Sequence, residues 1–251
     1  MIALIGIFVW ALSLSPNDIV LFNYEVTADL DPSNNNIQTQ RFFLPINPDR
    51  IIPLVQAEGF IDNQVPFTPQ APLAEWHDSR QQDGCEEASV LMAIAWVRDE
   101  KLSAQIAKDE ILAISDWELN KYQSYVDTSA ADTLKRIVVG YFGHQNATAK
   151  TGISITDIID ELNQGRVVLV PADGRKLGNP FFTPPGPERH MLLIRGYDAK
   201  TREFITNDPG TKRGEAYRYQ EDILFNAVLD YPTGDHIPIE QERKAMIAIW
   251  K

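Results

Sequence analysis

The sequence predicts an α+β fold with an antiparallel sheet. From residue 85 to 165 the chain reads as helices that open and close on capping residues. From 166 to 250 it breaks into short β-rich runs separated by turns. Helices first and strands afterwards is a segregated order, unlike the alternation that builds a parallel sheet. The 251 residues are enough for one large domain, or for a domain with an extension, and 44% hydrophobic residues is an ordinary globular composition.

Taken in order, the chain opens on "MIALIGIFVWALSLS" (1–15), which is apolar for most of its length. It has the length of a secretory apolar region, and Pro16, Asn17 and Asp18 stop it short of a spanning helix. No Lys or Arg precedes it. It is expected to be an export signal or a membrane-proximal leader, which would place the protein outside the cytoplasm or at a membrane; a buried strand or helix is the competing reading. Residues 16–62 form an extension. "DIVLFNYEV" (Asp18–Val26) alternates like a strand, "DLDPSNNNIQTQ" (Asp29–Gln40) is loop-like, and the three prolines of "FFLPINPDRIIPLV" suit an edge strand or linker.

Residues 63–251 carry the main domain. Cys85 to about Arg98 is apolar nearly all round, the mark of a buried helix. Ser103 caps "AQIAKDEILAI", Thr128 or Ser129 caps a helix ending near Gly143, and Thr156 caps "DIIDELNQG" with Gly165 as its stop. "RVVLVP", "HMLLIRGY" and "EFITN" then read as strands, and "GEAYRY" and "AMIAIW" as two more.

The net charge of −12 repels phosphate backbones, so nucleic acid is not an expected partner. The single cysteine, Cys85, excludes an internal disulfide, CxxC zinc sites and dithiol chemistry. It stands where the turn "QQDG" gives way to the buried helix, and the positive end of a helix dipole favours thiolate there. Glu86 and Glu87 oppose that if they face the sulfur. The strands "HMLLIRGY" and "EFITN", joined by "DAKT", form a hairpin. A turn centred on Ala199 sets His190 opposite Asp208; a turn centred on Lys200 pairs Leu192 with Asp208 and leaves His190 as a diagonal neighbour. Either way a carboxylate lies beside an imidazole and can hold its tautomer. Nucleophile, base and orienting group then come from helix and sheet. A lone cysteine is more often a small core residue, and a zinc site of Cys85, His190 and Asp208 ranks below the triad. His77, His144 and His236 have no motif around them, Asn207 reads as a turn residue, and the acceptor pattern "NAT" (146–148) is discounted.

"VPFTPQAP", "DGCEEASVLMAIAW", "ERHMLLIRGYD" and "ITNDPGT", in that order, resemble the papain-like cysteine peptidases of the bacteriocin-leader-processing type and their broader relatives. The resemblance runs from about Asn63 to Tyr231. It implies a papain-like fold, with a central helix headed by Cys85 on an antiparallel sheet. It implies Cys85 as nucleophile, His190 as general base, Asp208 as its orienting residue, and Gln70 as an oxyanion-hole donor beside the Cys85 N–H. Gln70 lies fifteen positions before Cys85, so Gln82 competes for that role. Trp76 and Phe181, on two loops, are expected to line a substrate cleft. The implied reaction is hydrolysis of peptide bonds in a peptide or protein substrate, without metal or organic cofactor. A cell-wall amidase or transpeptidase-type acyl transferase, and a catalytically silent papain-like binding module, are the alternatives.

Overall fold

The computed structural model describes residues 59–251 and, before them, two short strands, β1 (Val26–Thr27) and β2 (Thr39–Gln40), paired antiparallel with Val26 opposite Gln40. By contacts the chain divides into two compact units, Met1–Pro53 and Leu54–Lys251. The expected leader, most of the expected strand at Asp18–Val26 and the proline-rich stretch at 42–55 lie outside the described residues. The loop expected at Asp29–Gln40 ends in β2.

In the second unit seven strands form one sheet. They are β3 (Phe60–Asp62), β4 (Ala147–Thr151), β5 (Val167–Ala172), β6 (His190–Asp198), β7 (Glu203–Asn207), β8 (Tyr217–Gln220) and β9 (Ala245–Ile249). Their order is β4–β9–β5–β6–β7–β8, with β3 on β6, and every pairing is antiparallel. The helices are α1 (Ser79–Gln82), α2 (Cys85–Val97), α3 (Ala104–Tyr122), α4 (Ala130–Thr133), α5 (Ile155–Asn163), α6 (Gly174–Leu177) and α7 (Glu221–Ala227). A π-helical stretch, Leu134–Tyr141, continues α4. The mixture of helices with an antiparallel sheet is the α+β class that the sequence predicts. No helix among the described residues is long and apolar enough to cross a membrane.

The period-two pattern of the strands explains the two cores. Val167, Leu169, Met191, Leu193, Ile247 and Ile249 point to one face and pack with Val90, Met92, Ala93 and Ile94 of α2. Val168, Val170, Leu192, Ile194 and Phe204 point to the other and pack with α5 and α7 through Ile158, Leu162 and Leu224. Each fully buried aliphatic side chain contributes about 1.5–3 kcal/mol. All but the last two residues of α2 are buried, as expected for a helix apolar on every side.

Local caps mostly follow the sequence. Ser103 caps α3 through Ile106 N–H, and Ser129 caps α4 through Asp132 N–H. The expectation for Thr156 is corrected: Ser154 caps α5. The Ser154 hydroxyl accepts from Asp157 N–H while the Asp157 carboxylate accepts from Ser154 N–H, a capping box that leaves Thr156 inside the helix. Asn207 is also corrected. It ends β7 fully buried, and its amide donates to the carbonyls of Val65 and Pro66, tying the incoming segment to the sheet.

Candidate active site

Cys85 is the first residue of α2, which follows α1 after only Asp83 and Gly84. Gly84 makes this possible: a Cβ there would lie 2.6 Å from the Arg80 carbonyl oxygen. Two bonds then fix the helix on β6. Met191 N–H donates to Cys85 Sγ at 3.3 Å, and Ser89, one turn on, donates its hydroxyl to the Met191 carbonyl at 3.1 Å. The sulfur therefore rests against the peptide that follows His190.

The hairpin adopts the second of the two registers near the site. Leu193 lies opposite Asn207, which carries Leu192 to Asp208 and makes His190 the diagonal neighbour. The register centred on Ala199 is thus corrected. Toward the turn the pairing shifts by one residue between Ile194 and Gly196, at a bulge around Arg195. Arg195 turns its guanidinium to Asp62 at 2.6 Å and toward the Val65 carbonyl, so the bulge also anchors the chain entering the domain.

His190 and Asp208 are buried and bonded, Nε2 to Oδ1 at 2.8 Å. Asp208 Oδ1 also accepts from Gly210 N–H at 3.0 Å. Oδ2 accepts from the Tyr219 hydroxyl at 2.7 Å and, at 3.4 Å, from the Asn179 amide. Burial works against the charge on Asp208. The charge of the imidazole and the bonds from His190, Tyr219 and Gly210 outweigh it and hold the carboxyl below its usual range. With Nε2 engaged, Nδ1 makes no hydrogen bond among the described residues. Phe182 packs edge-on against the imidazole with centroids 5.4 Å apart. A Cβ on Gly210 would come within 2.9 Å of Phe182 and 3.0 Å of His190, so only glycine fits under the ring.

The thiol departs from the simple dipole argument. Glu86 turns inward, and Cys85 Sγ–H donates to its Oε2 at 2.9 Å. Burial pushes the thiol pKa well above its ordinary value, the charge and hydrogen bond of Glu86 push it further, and the Met191 N–H only partly offsets them. Glu86 thus faces the sulfur, the arrangement in which the sequence expects it to oppose the thiolate. Glu87 is also buried, bonded to the Ser115 hydroxyl at 2.9 Å.

A cleft of about 730 Å³ is walled by Gln70, Trp76 and Gln82 on one side and by Phe181, Phe182 and Thr211 on the other. Trp76 and Phe181 are each 40% exposed at its mouth. Both loops singled out in the sequence thus meet across one space. Gln70 is buried, and its amide donates to the carbonyls of Gln82 at 2.7 Å and Gln81 at 3.1 Å, while its own N–H reaches the Pro209 carbonyl at 2.9 Å. Gln82 is exposed at the rim. Sequence reasoning missed Tyr219, Asn179 and Gly210, which complete the surroundings of Asp208, and Tyr231, which holds Glu86. Gly210 had a signal in the turn text "DPGT"; the others lie in stretches with no motif. His144 is satisfied by the carbonyls of Asn146 and Trp250, and His77 and His236 are exposed. No cluster of three metal-ligating side chains occurs among the described residues.

The family model described as "Peptidase_C39 like family" matches residues 62–231. Among solved structures, the chain is similar to a C39-like peptidase from Bacillus anthracis. The two are 14% identical with a TM-score of 0.49, over 77% of this chain and 98% of that one. No curated protein matches the chain.

Proposed function

The chain belongs to the peptidase C39-like family, of papain-like cysteine peptidases, and from that premise we propose that it hydrolyses peptide bonds with Cys85 as nucleophile, His190 as general base and Asp208 as the residue that orients His190. The observation that carries this reading is the seating of the Cys85 sulfur against the Met191 N–H, directly after a histidine whose far nitrogen is held by Asp208. The central helix of a papain-like fold is, in this reading, α2.

The Asp208 bond fixes His190 with its proton on Nε2, so Nδ1 is the basic nitrogen. A peptide in the cleft presents its carbonyl to Sγ. The thiol proton passes to Nδ1 as sulfur bonds to the carbonyl carbon, and the imidazolium formed is stabilised by Asp208. The tetrahedral oxyanion is met by the Cys85 N–H, one of the unpaired donors that begin every helix. Gln70 is the second donor of this reading. Its amide turns from the Gln81 and Gln82 carbonyls as substrate arrives. Nδ1–H then protonates the leaving amine, the C–N bond breaks and a thioester remains. Water, losing its proton to Nδ1, attacks the thioester carbon and releases the acid and the thiol. Trp76, Phe181 and Gln82 form the substrate-facing walls.

The test is digestion of a mixed peptide library, with products read by mass spectrometry. The parent is expected to cleave peptides and Cys85→Ala to leave them intact. Equal product patterns from both proteins would refute the assignment.

A further inference from the structure

The proposed reaction leaves one buried group beside the sulfur without a task. Glu86 is 2% exposed, and its Oε2 lies 2.9 Å from Cys85 Sγ. Its Oε1 accepts from the Tyr231 hydroxyl at 2.9 Å and from Thr128 N–H at 3.1 Å. Burying a carboxylate is costly, and an apolar side chain would serve the core better. A fully bonded carboxylate against a nucleophile is where function, rather than packing, accounts for the cost.

Resting on the reading of Cys85 as nucleophile, we propose that Glu86 is a positioning residue that shares the Cys85 thiol proton. In the resting protein the proton is on sulfur and points at Glu86, so the nucleophile waits as a neutral thiol until a substrate draws that proton to His190. The pair holds one proton. Moving it from Sγ to Oε2 breaks the S–H bond, forms an O–H bond and gives a thiolate beside a neutral carboxyl, with no change in total charge. The two groups therefore titrate as a unit. Tyr231 and Thr128 N–H stabilise the carboxylate and so keep the proton on sulfur.

The charges around the pair act on both groups: burial raises Glu86 as it raises the thiol, and the charge of Asp127 raises Glu86 further, so Tyr231 and Thr128 are what hold the proton on sulfur. On α2, Glu87 raises the thiol when ionised, but burial pushes its own pKa well up; the charge of Glu86 raises Glu118 of α3, which Arg136 of the π-helical stretch lowers. Before α4, Asp127 faces Glu86 and is itself paired with Arg189 at 2.6 Å, in the segment that leads into β6. His190 begins that strand.

The experiment follows the rate of Cys85 alkylation by iodoacetamide against pH, read by intact mass. Parent, Glu86→Gln and Tyr231→Phe are compared, with folding checked by circular dichroism. Glutamine keeps the shape of Glu86 and removes its charge, so the profile is expected to move to lower pH, with alkylation at pH 7 faster by about tenfold or more, one pH unit corresponding to tenfold. Tyr231→Phe removes one donor from the carboxylate, moves the proton toward Oε2 and is expected to speed alkylation by a smaller factor. It decides the matter alone if Glu86→Gln does not fold. An unchanged or slower rate in the folded variant overturns the proposal. Alkylation needs no turnover, so the two readings fail separately. Faster alkylation together with peptide cleavage that survives Cys85→Ala would leave the shared proton standing and remove the peptidase.

Discussion

Asp208→Ala is expected to lower peptide hydrolysis by about 10³–10⁴-fold, the scale seen in a serine-peptidase triad when an aspartate-to-asparagine change leaves the histidine in the wrong tautomer. The carboxylate collects four donors: His190, Gly210, Tyr219 and Asn179. Alanine leaves His190, Gly210 and the Tyr219 hydroxyl unanswered in a buried place, while Asn179 keeps its 2.7 Å bond to the Tyr219 oxygen. The imidazole loses its fixed tautomer and the support of its positive charge. The stranded donors also cost about 1–3 kcal/mol each in stability where water cannot reach them. Asp208→Asn separates orientation from charge. Its oxygen can stay with His190 and Gly210, while its amide meets the Tyr219 hydroxyl, whose proton loses its acceptor; Asn179 keeps its 2.7 Å bond to the Tyr219 oxygen and loses the long contact. The histidine keeps its tautomer, and the expected loss is roughly tenfold, the difference between a charged and a neutral hydrogen bond. Steady-state rates for the two variants check this. Equal losses in both would mean that Asp208 does not act by orienting His190.

Stability should fall as pH rises from about 4.5 to about 8, and Glu118→Gln should remove part of that fall, the buried Glu86 and Glu87, whose pKa values burial also raises, supplying the rest. Glu118 sits on α3 with no exposed surface, and neither of its carboxylate oxygens has a partner among the described residues. Burial first, and the charge of Glu86 next, push its pKa from 4.5 up to about 8, with Arg136 opposing. The folded protein thus holds a proton on Glu118 that the unfolded chain has released by mid-range pH. More protons bound in the folded state means that stability declines with pH. The contribution is complete below 4.5 and gone above about 8. The span corresponds to a change on the order of 3–5 kcal/mol. Glutamine is neutral at every pH and escapes the penalty. Urea unfolding of both proteins at pH 5, 6.5 and 8 measures the effect. Parallel pH dependences would contradict it.

Where apolar pattern and capping chemistry agree, the sequence reads well. The buried helix from Cys85, the Ser103 cap and the strands beginning at His190 and Glu203 follow from side chains whose partners lie within a few residues. The cap of α5 is not legible because Ser154 and Thr156 are both good cap residues, and only the reciprocal bond with Asp157 chooses between them. The hairpin register was ambiguous because turn length alone does not reveal a bulge. Arg195 is set by Asp62, far away in the chain. The place of Asn207 in the sheet is hidden for the same reason: its partners, the Val65 and Pro66 carbonyls, are equally remote. The inward turn of Glu86 and Glu87 was legible in principle: on a helix apolar on every side, any charged residue is buried too. Which groups receive them, Tyr231 and Ser115, is a matter of tertiary packing. The same holds for Tyr219 and Asn179 around Asp208.

The central claim is that acyl transfer passes through the Cys85 sulfur. Rapid acid quench of the protein during hydrolysis of an activated peptide ester, followed by intact-mass and fragment analysis, tests it most directly. The account predicts an adduct of the acyl mass on Cys85, formed and lost within the turnover time, and its absence from Cys85→Ala together with loss of turnover. Turnover with no adduct on Cys85, or with the acyl group on another residue, would contradict it.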